Sequence, residues 1–198
     1  MEMFSPKEKI MDAAAKLFSE KGYDRVSMSD IAGMVGVKTA SIYNHFSSKK
    51  DILKGLYEFY ALQQQRSIPS LEKVMALIET EPVNAILMRL DFQYSPSLQD
   101  IMDRILIIAS QRIGMDQNGE RFIRESLFES TASLMLPLLK HLIELGKIEP
   151  IDTDEFNCLL TYYCYSAAVL NFSSMKISQE KWHSGLKMII SLLKTIPN

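Results

Sequence analysis

Residues 30–53, "DIAGMVGVKTASIYNHFSSKKDIL", decide how this chain is to be read. The run is small and apolar up to Gly36. A tight group of hydroxyl, aromatic, amide and imidazole side chains follows, with Thr39, Ser41, Tyr43, Asn44 and His45, and then two lysines, Lys49 and Lys50. The spacing leaves room only for short helices. Ser27 with Asp30 three residues on is a helix-opening pair, Gly36 is a helix stop, and Ser48 with Asp51 opens another helix. Between them a short helix is expected from Lys38 or Thr39 to Asn44. Two short helices joined by a tight turn containing glycine make a helix-turn-helix, here over about residues 27–46.

Working outward, "SPKE" offers Ser5 as N-cap, Pro6 in the first helical position and Glu8 at the third. Ile10, Met11, Ala14, Leu17 and Phe18 then recur at helical spacing, and Gly22 ends that helix. A long fourth helix starts at Ser48. In the third helix Val37, Ile42 and Phe46 fall on one side and should pack inward. Thr39, Ser41, Asn44 and His45 lie opposite, with Tyr43 at the flank. Short hydroxyls and planar hydrogen-bonding groups are the types that read base edges and phosphates. Lys49 lies in the first turn of a helix, where free backbone N–H groups already favour a phosphate. The plainer alternative is a solvated polar face.

The 198 residues are 47% hydrophobic with only 8 Gly and 7 Pro, which points to an all-α fold. The net charge of −2 is unevenly placed. Arg25, Lys38, Lys49, Lys50 and Lys54 face only Asp30 and Asp51, while acidic residues outnumber basic ones from residue 57 onward, so the basic patch is local. No apolar leader or membrane-length segment is read, and a cytoplasmic location is expected. Pro69, Pro82 and Pro96 mark helix starts. Residues 118–147 read as one long helix kinked at Pro137 and ended by Gly146. Asp152 opens the next, and residues 178–194 close the chain.

Rival chemistries find little support. Glu180 and His183 have the spacing of a carboxylate–histidine metal pair, but no second copy exists. No nucleophile elbow or phosphate-cradling glycine loop is present. Cys158 and Cys164 point to different helix faces and read as reduced core thiols. No catalytic residue, metal site or cofactor is expected, and the chain is not read as an enzyme. Met88, Phe92, Met102, Phe128 and Met135 are soft or aromatic side chains that suit either an ordinary core or an adaptable pocket. The last two helices are apolar over more than one face. Phe156, Leu160, Tyr163, Ala167 and Leu170 on one, with Trp182, Leu186, Ile189 and Leu193 on the other, are expected to form a two-fold four-helix bundle in a homodimer.

Over residues 5–60 the sequence resembles the TetR family of transcriptional regulators. The resemblance rests on Gly22-Tyr23, Ser27, Ile31-Ala32, Val35-Gly36-Val37, Tyr43-Asn44-His45-Phe46 and Ser48-Lys49 with Ile52-Leu53 following. It implies a helix-turn-helix DNA-binding domain over residues 1–50, joined by the helix from 48 to a helical effector-binding and dimerisation domain over 51–198. Carried over by position, Ser27, Tyr43 and Lys49 would grip phosphates. Thr39, Ala40, Ser41, Asn44 and His45 would lie against the major groove of a palindromic operator. The family usually has Ser or Thr where Lys38 stands and often Gly at Ala40. Either Thr39 caps the third helix one residue late, or Lys38 adds a phosphate or guanine contact. The resemblance also tilts the Met and Phe set toward a pocket for a small apolar or amphipathic ligand. The implied function is a repressor released by that ligand. The alternative is a helical ligand-binding or adaptor protein whose helix-turn-helix does not read DNA.

Overall fold

A computed structural model describes residues 5–89, 95–171 and 177–196. Among the described residues, every regular element is helical, apart from one isolated β-bridge. Helix α1 (Pro6–Lys21) opens on Ser5, whose Oγ accepts from the Glu8 N–H while its own N–H donates to the Glu8 carboxylate at 2.7 Å. Such a cap stabilises a helix by about 1 kcal/mol. The expected stripe of Ile10, Met11, Ala14, Leu17 and Phe18 is buried. A 3-10 turn (Tyr23–Arg25) leads to α2 (Met28–Val35), α3 (Thr39–Tyr43) and α4 (Lys49–Ser67).

Gly36 adopts φ 79°, and the Val37 N–H reaches back to the Ala32 carbonyl at 3.0 Å. This left-handed turn stops α2 and is open to glycine at little steric cost. It also overturns one expectation. Val37 lies in the turn beyond Gly36, before α3 begins, and is 42% exposed. Ile42 and Phe46 alone of the three are buried.

The chain continues as α5 (Leu71–Ile78), α6 (Val83–Arg89), α7 (Pro96–Gln111), α8 (Gln117–Ile123), α9 (Ser130–Glu144), α10 (Thr153–Asn171) and α11 (Gln179–Ile190). Pro96 occupies the first turn of α7 behind the Ser95 cap. The single helix expected over 118–147 is instead interrupted by a π-helical segment, Arg124–Glu129, and Pro137 lies inside α9. Gly146 (φ 65°) ends α9 as expected, with the Lys147 N–H on the Leu142 carbonyl.

The chain packs as two compact units. One comprises the described residues of Met1–Gln63 with Tyr94–Glu120, the other those of Gln64–Gln93 with Arg121–Asn198. This grouping differs from a division at residue 50, because most of α4 and all of α7 pack with the N-terminal helices. In the first unit α7 lies along α1, where Arg104 donates to Glu20 at 3.0 Å, Ser19 at 3.0 Å and Asp100 at 2.8 Å. In the second unit Val74, Ile78, Leu138, Leu139 and Leu142 centre a core shared by α5, α6, α9, α10 and α11. An antiparallel bridge, Ile148 to Thr195, ties the chain's last turn to the end of α9.

The apolar residues of α10 and α11 are placed differently from expectation. Phe156, Leu160, Leu186, Ile189 and Leu193 belong to this chain's own core, Ala167 is buried, and Leu170 is half-buried. Tyr163 stacks on Trp182 at 4.8 Å and donates its hydroxyl to the Trp182 carbonyl at 2.9 Å. These positions do not form an outward face, because each helix must first cover its own subunit's interior. What the two helices leave exposed is Leu159, Tyr162, Met188 and Leu192.

Gly185 is where α10 and α11 come closest. A Cβ there would overlap the Tyr163 hydroxyl and press into its ring. Gly185→Ala should therefore displace Tyr163 from its stack and lower stability by about 1–3 kcal/mol, as overpacking does. Trp182 is the only tryptophan, so denaturant unfolding followed by its fluorescence reads both effects. Unchanged stability and emission would refute the close contact.

Candidate nucleic-acid interface

Helix α3 is held from one side only. Ile42 is fully buried and Phe46 nearly so. Phe46 has room because residue 55 is glycine; a Cβ there would meet its ring at 3.2 Å. On the other side Lys38, Ala40, Tyr43, Asn44 and His45 are exposed, and Thr39 and Ser41 are half-buried. Among the described residues, none of the side chains of Lys38, Thr39, Ser41, Asn44 and His45 is engaged in a hydrogen bond or ion pair. A row of donors and acceptors facing water without internal partners is available to an external one. Lys38 takes the N-cap position through its backbone, with no side-chain bond, and Thr39 is the first helical residue. The late cap at Thr39 therefore does not occur, which leaves the Lys38 ammonium at the exposed start of α3.

Ser27 is exposed, but its hydroxyl is already used. It donates to the Asp30 carboxylate at 2.6 Å and accepts the Asp30 N–H at 3.1 Å. The Ser27 hydroxyl and then its N–H hold the Asp30 carboxyl below the usual carboxylate range. A depressed folded pKa means that the cap acts fully above the unfolded value and is lost as pH falls through the folded one. Asp51 is lowered in the same sense, first by the Ser47 N–H, while Ser48 accepts the Asp51 N–H as N-cap of α4.

The expected pocket residues are dispersed. Met88 and Met135 pack in or against the core of the second unit, Phe128 lies edge-on to Tyr162 at 5.5 Å, and Met102 is buried in the first unit. Phe92 lies outside the described residues. Two contributors to the interface were missed in the sequence. Lys50 is exposed in the first turn of α4, one residue beyond the position the family pattern singles out. Tyr23 is a structural hub whose role no local spacing reveals, since its partners lie far along the chain.

Lys49 needs correction. Its ammonium donates to the carbonyls of Tyr23 at 2.8 Å, Val26 at 2.8 Å and Asp24 at 3.4 Å, and stands 4.4 Å from the Tyr23 ring centroid. An ammonium has three donors and all three are taken, so the expected phosphate grip has no free donor behind it. Lys49 instead pins the turn that leads into α2. Lys49→Met should cost about 2 kcal/mol of stability, the scale of hydrogen bonds to a charged group. It should leave the salt slope of DNA binding unchanged, whereas loss of a phosphate contact flattens that slope by about one unit. Thermal unfolding and a salt titration together decide between the two roles.

Residues 10–56 match the family model of bacterial regulatory proteins of the tetR family. The biofilm operon icaADBC HTH-type negative transcriptional regulator IcaR of Staphylococcus aureus (strain Newman) is 59% identical over 46 residues, 23% of this chain and 25% of that protein. The match thus spans about a quarter of that relative's length. Two solved structures are similar over nearly the whole chain. PfmR, a TetR family transcriptional regulator from Thermus thermophilus, has a TM-score of 0.68 at 20% identity, covering 99% of this chain and 100% of that one. A transcriptional regulator from Saccharomonospora viridis, solved in complex with choline, has a TM-score of 0.73 at 20% identity, covering 96% and 98%. Residues 10–56 are a TetR-family N-terminal domain, and the chain that carries them has the all-helical fold of TetR-family regulators.

Proposed function

We propose that this protein is a sequence-specific DNA-binding transcriptional regulator, a homodimeric repressor released by a small ligand. The observation that carries the reading is the unengaged polar face of α3, seated on Ile42 and Phe46 within a family-matched domain. Residues 1–50 are the DNA-reading domain and 51–198 the effector-binding and dimerising one. Thr39, Ala40, Ser41, Asn44 and His45 face base edges in the major groove. Tyr43, Lys38 and Lys50 face phosphates, and Ser27 contributes chiefly by capping α2. The repressor reading is supported by the negative regulator IcaR, and the small-ligand reading by the choline-bound regulator. Met88, Phe128 and Met135 are its candidate lining for a small apolar or amphipathic molecule. Among the described residues no helix is long and apolar enough to cross a membrane. A regulator of this kind works in the cytoplasm, has no catalytic activity and needs no cofactor.

A dimer supplies two copies of α3, which must stand about 34–36 Å apart, or a multiple, to enter successive major grooves of a palindromic operator. The surface for the second copy is the exposed stripe of Leu159 and Tyr162 on α10 with Met188 and Leu192 on α11. These residues lie at helical spacing, and large apolar side chains grouped on one face suit an isologous contact.

Two measurements test the reading. In a binding-site selection, Ser41→Ala or Asn44→Ala should relax discrimination at particular base pairs by about 1–3 kcal/mol, while Tyr43→Phe should weaken all sequences alike. Variants with the wild-type logo and affinity would take α3 out of the groove. In sedimentation, the wild type should be a dimer, and Met188→Glu with Leu192→Glu a folded monomer that has lost operator affinity. A double variant that sediments as the wild type does would move the interface elsewhere.

A further inference from the structure

Tyr23 stands within the first unit, in the 3-10 turn between α1 and α2, and two cations approach its ring. Lys49 Nζ lies 4.4 Å from the centroid and Arg112 Cζ 4.3 Å from it, while Phe18 meets the ring edge-on at 5.0 Å. Two like charges around one ring repel unless each is compensated. Lys49 is held by three backbone carbonyls. Arg112 pairs with Asp116 at 3.3 Å and with Asp24 at 3.9 Å. At its base Arg112 is fixed as the C-cap residue of α7, and a Cβ at Gly119 would already press on its own Cβ at 3.3 Å. Its side chain is only 15% exposed. A desolvated cation over an aromatic face is attracted far more strongly than an exposed one.

We infer that Arg112 is a positioning residue for DNA binding, acting through Tyr23 and Lys49 on the turn that sets α2 and α3. The inference rests on the DNA-binding reading above. Arg112 is remote from α3 in sequence and is neither in nor beside the helix-turn-helix. Its guanidinium nevertheless bears on the ring whose backbone carbonyl Lys49 holds. The same turn delivers Ser27, the cap of α2. Displacing Arg112 removes one of the two cations and frees the ring, so the Tyr23–Val26 turn loosens and α2 begins from a less defined point. The α7–α8 turn, where Arg112 and Asp116 sit, thereby acquires control over how α3 is presented.

The test compares Arg112→Met, which keeps an unbranched apolar side chain without charge, with Arg112→Lys, which keeps a cation. The probe is a duplex recovered by selection from random-sequence DNA, measured at a temperature where all three proteins are fully folded. Arg112→Met should bind it about 3- to 30-fold more weakly, the range a partly buried cation–π contact supports, and Arg112→Lys should recover most of the loss. The loss should be uniform across base substitutions, with the salt slope unchanged. Amide exchange of Val26, whose N–H donates to the Tyr23 carbonyl, should quicken in Arg112→Met and not in Arg112→Lys. Equal binding by Arg112→Met and the wild type overturns the inference. Recovery by Met rather than Lys would mean that the side chain only fills space, and a slope flattened by about one unit would mean that Arg112 touches phosphate itself. Failure of the wild type to recover any duplex would remove the DNA-binding reading, and the positioning role with it. The Tyr23 contact would then be judged separately, by whether Arg112→Met quickens exchange.

Discussion

A backbone that leaves one helix and starts another within six residues presents carbonyls that neither helix can satisfy. Between α1 and α2 those of Tyr23, Asp24 and Val26 converge on one ammonium, Lys49, which reaches back 23 to 26 residues to meet them. Unsatisfied, each carbonyl would carry a cost on the order of 1–3 kcal/mol if shielded from water. The bond set ties the start of α2 to the first turn of α4. Gly36 and the Val37 N–H then fix how α2 hands over to α3, and Ile42 with Phe46 seat α3 from beneath. The polar face outside thus depends on a lysine that cannot itself be part of it.

Much of the fold was legible because its signals are local. Caps at Ser5, Ser27, Ser48 and Asp152 each join residues two or three apart, and each forms in the structure. The α1 stripe, the stops at Gly36 and Gly146 and the polar character of α3 follow from spacing alone. Lys49 was misassigned because the first turn of a helix offers a lysine two uses. It can project toward an anion outside or fold back on carbonyls from an earlier turn, and nothing within a few residues chooses between them. Val37 failed for a related reason: helical phase was extended to it across a glycine that breaks the phase. Lys38 starts α3 without a side-chain cap, a backbone outcome that side-chain preference does not govern.

The effector and dimer residues show where composition stops being informative. Apolar residues on several faces of α10 and α11 say that the helices are covered, not by which chain. The structure divides them. Phe156, Leu160, Leu186 and Ile189 are covered from within, and Leu159, Tyr162, Met188 and Leu192 face out. Gly185 could have hinted at this, since a glycine inside a helix marks close approach of something bulky, here Tyr163. Met102 illustrates the same limit. Grouping it with Met88 and Met135 by residue type joins positions that pack in different units.

The π-helical segment Arg124–Glu129 sets an unusual constraint on how the chain can change length. Its bonds span one residue more than those of an α-helix, so it holds in effect a single inserted position. Each residue of an α-helix turns the chain by about 100°. Phe122 and Ile123 before the segment, and Leu134, Leu138 and Leu142 after it, are all buried, so their common inward phase includes that extra residue. Deleting one residue between 124 and 129 would make the helix regular and yet rotate the α9 core stripe toward water. For this stretch, the smoother helix is the one that does not fold into its place.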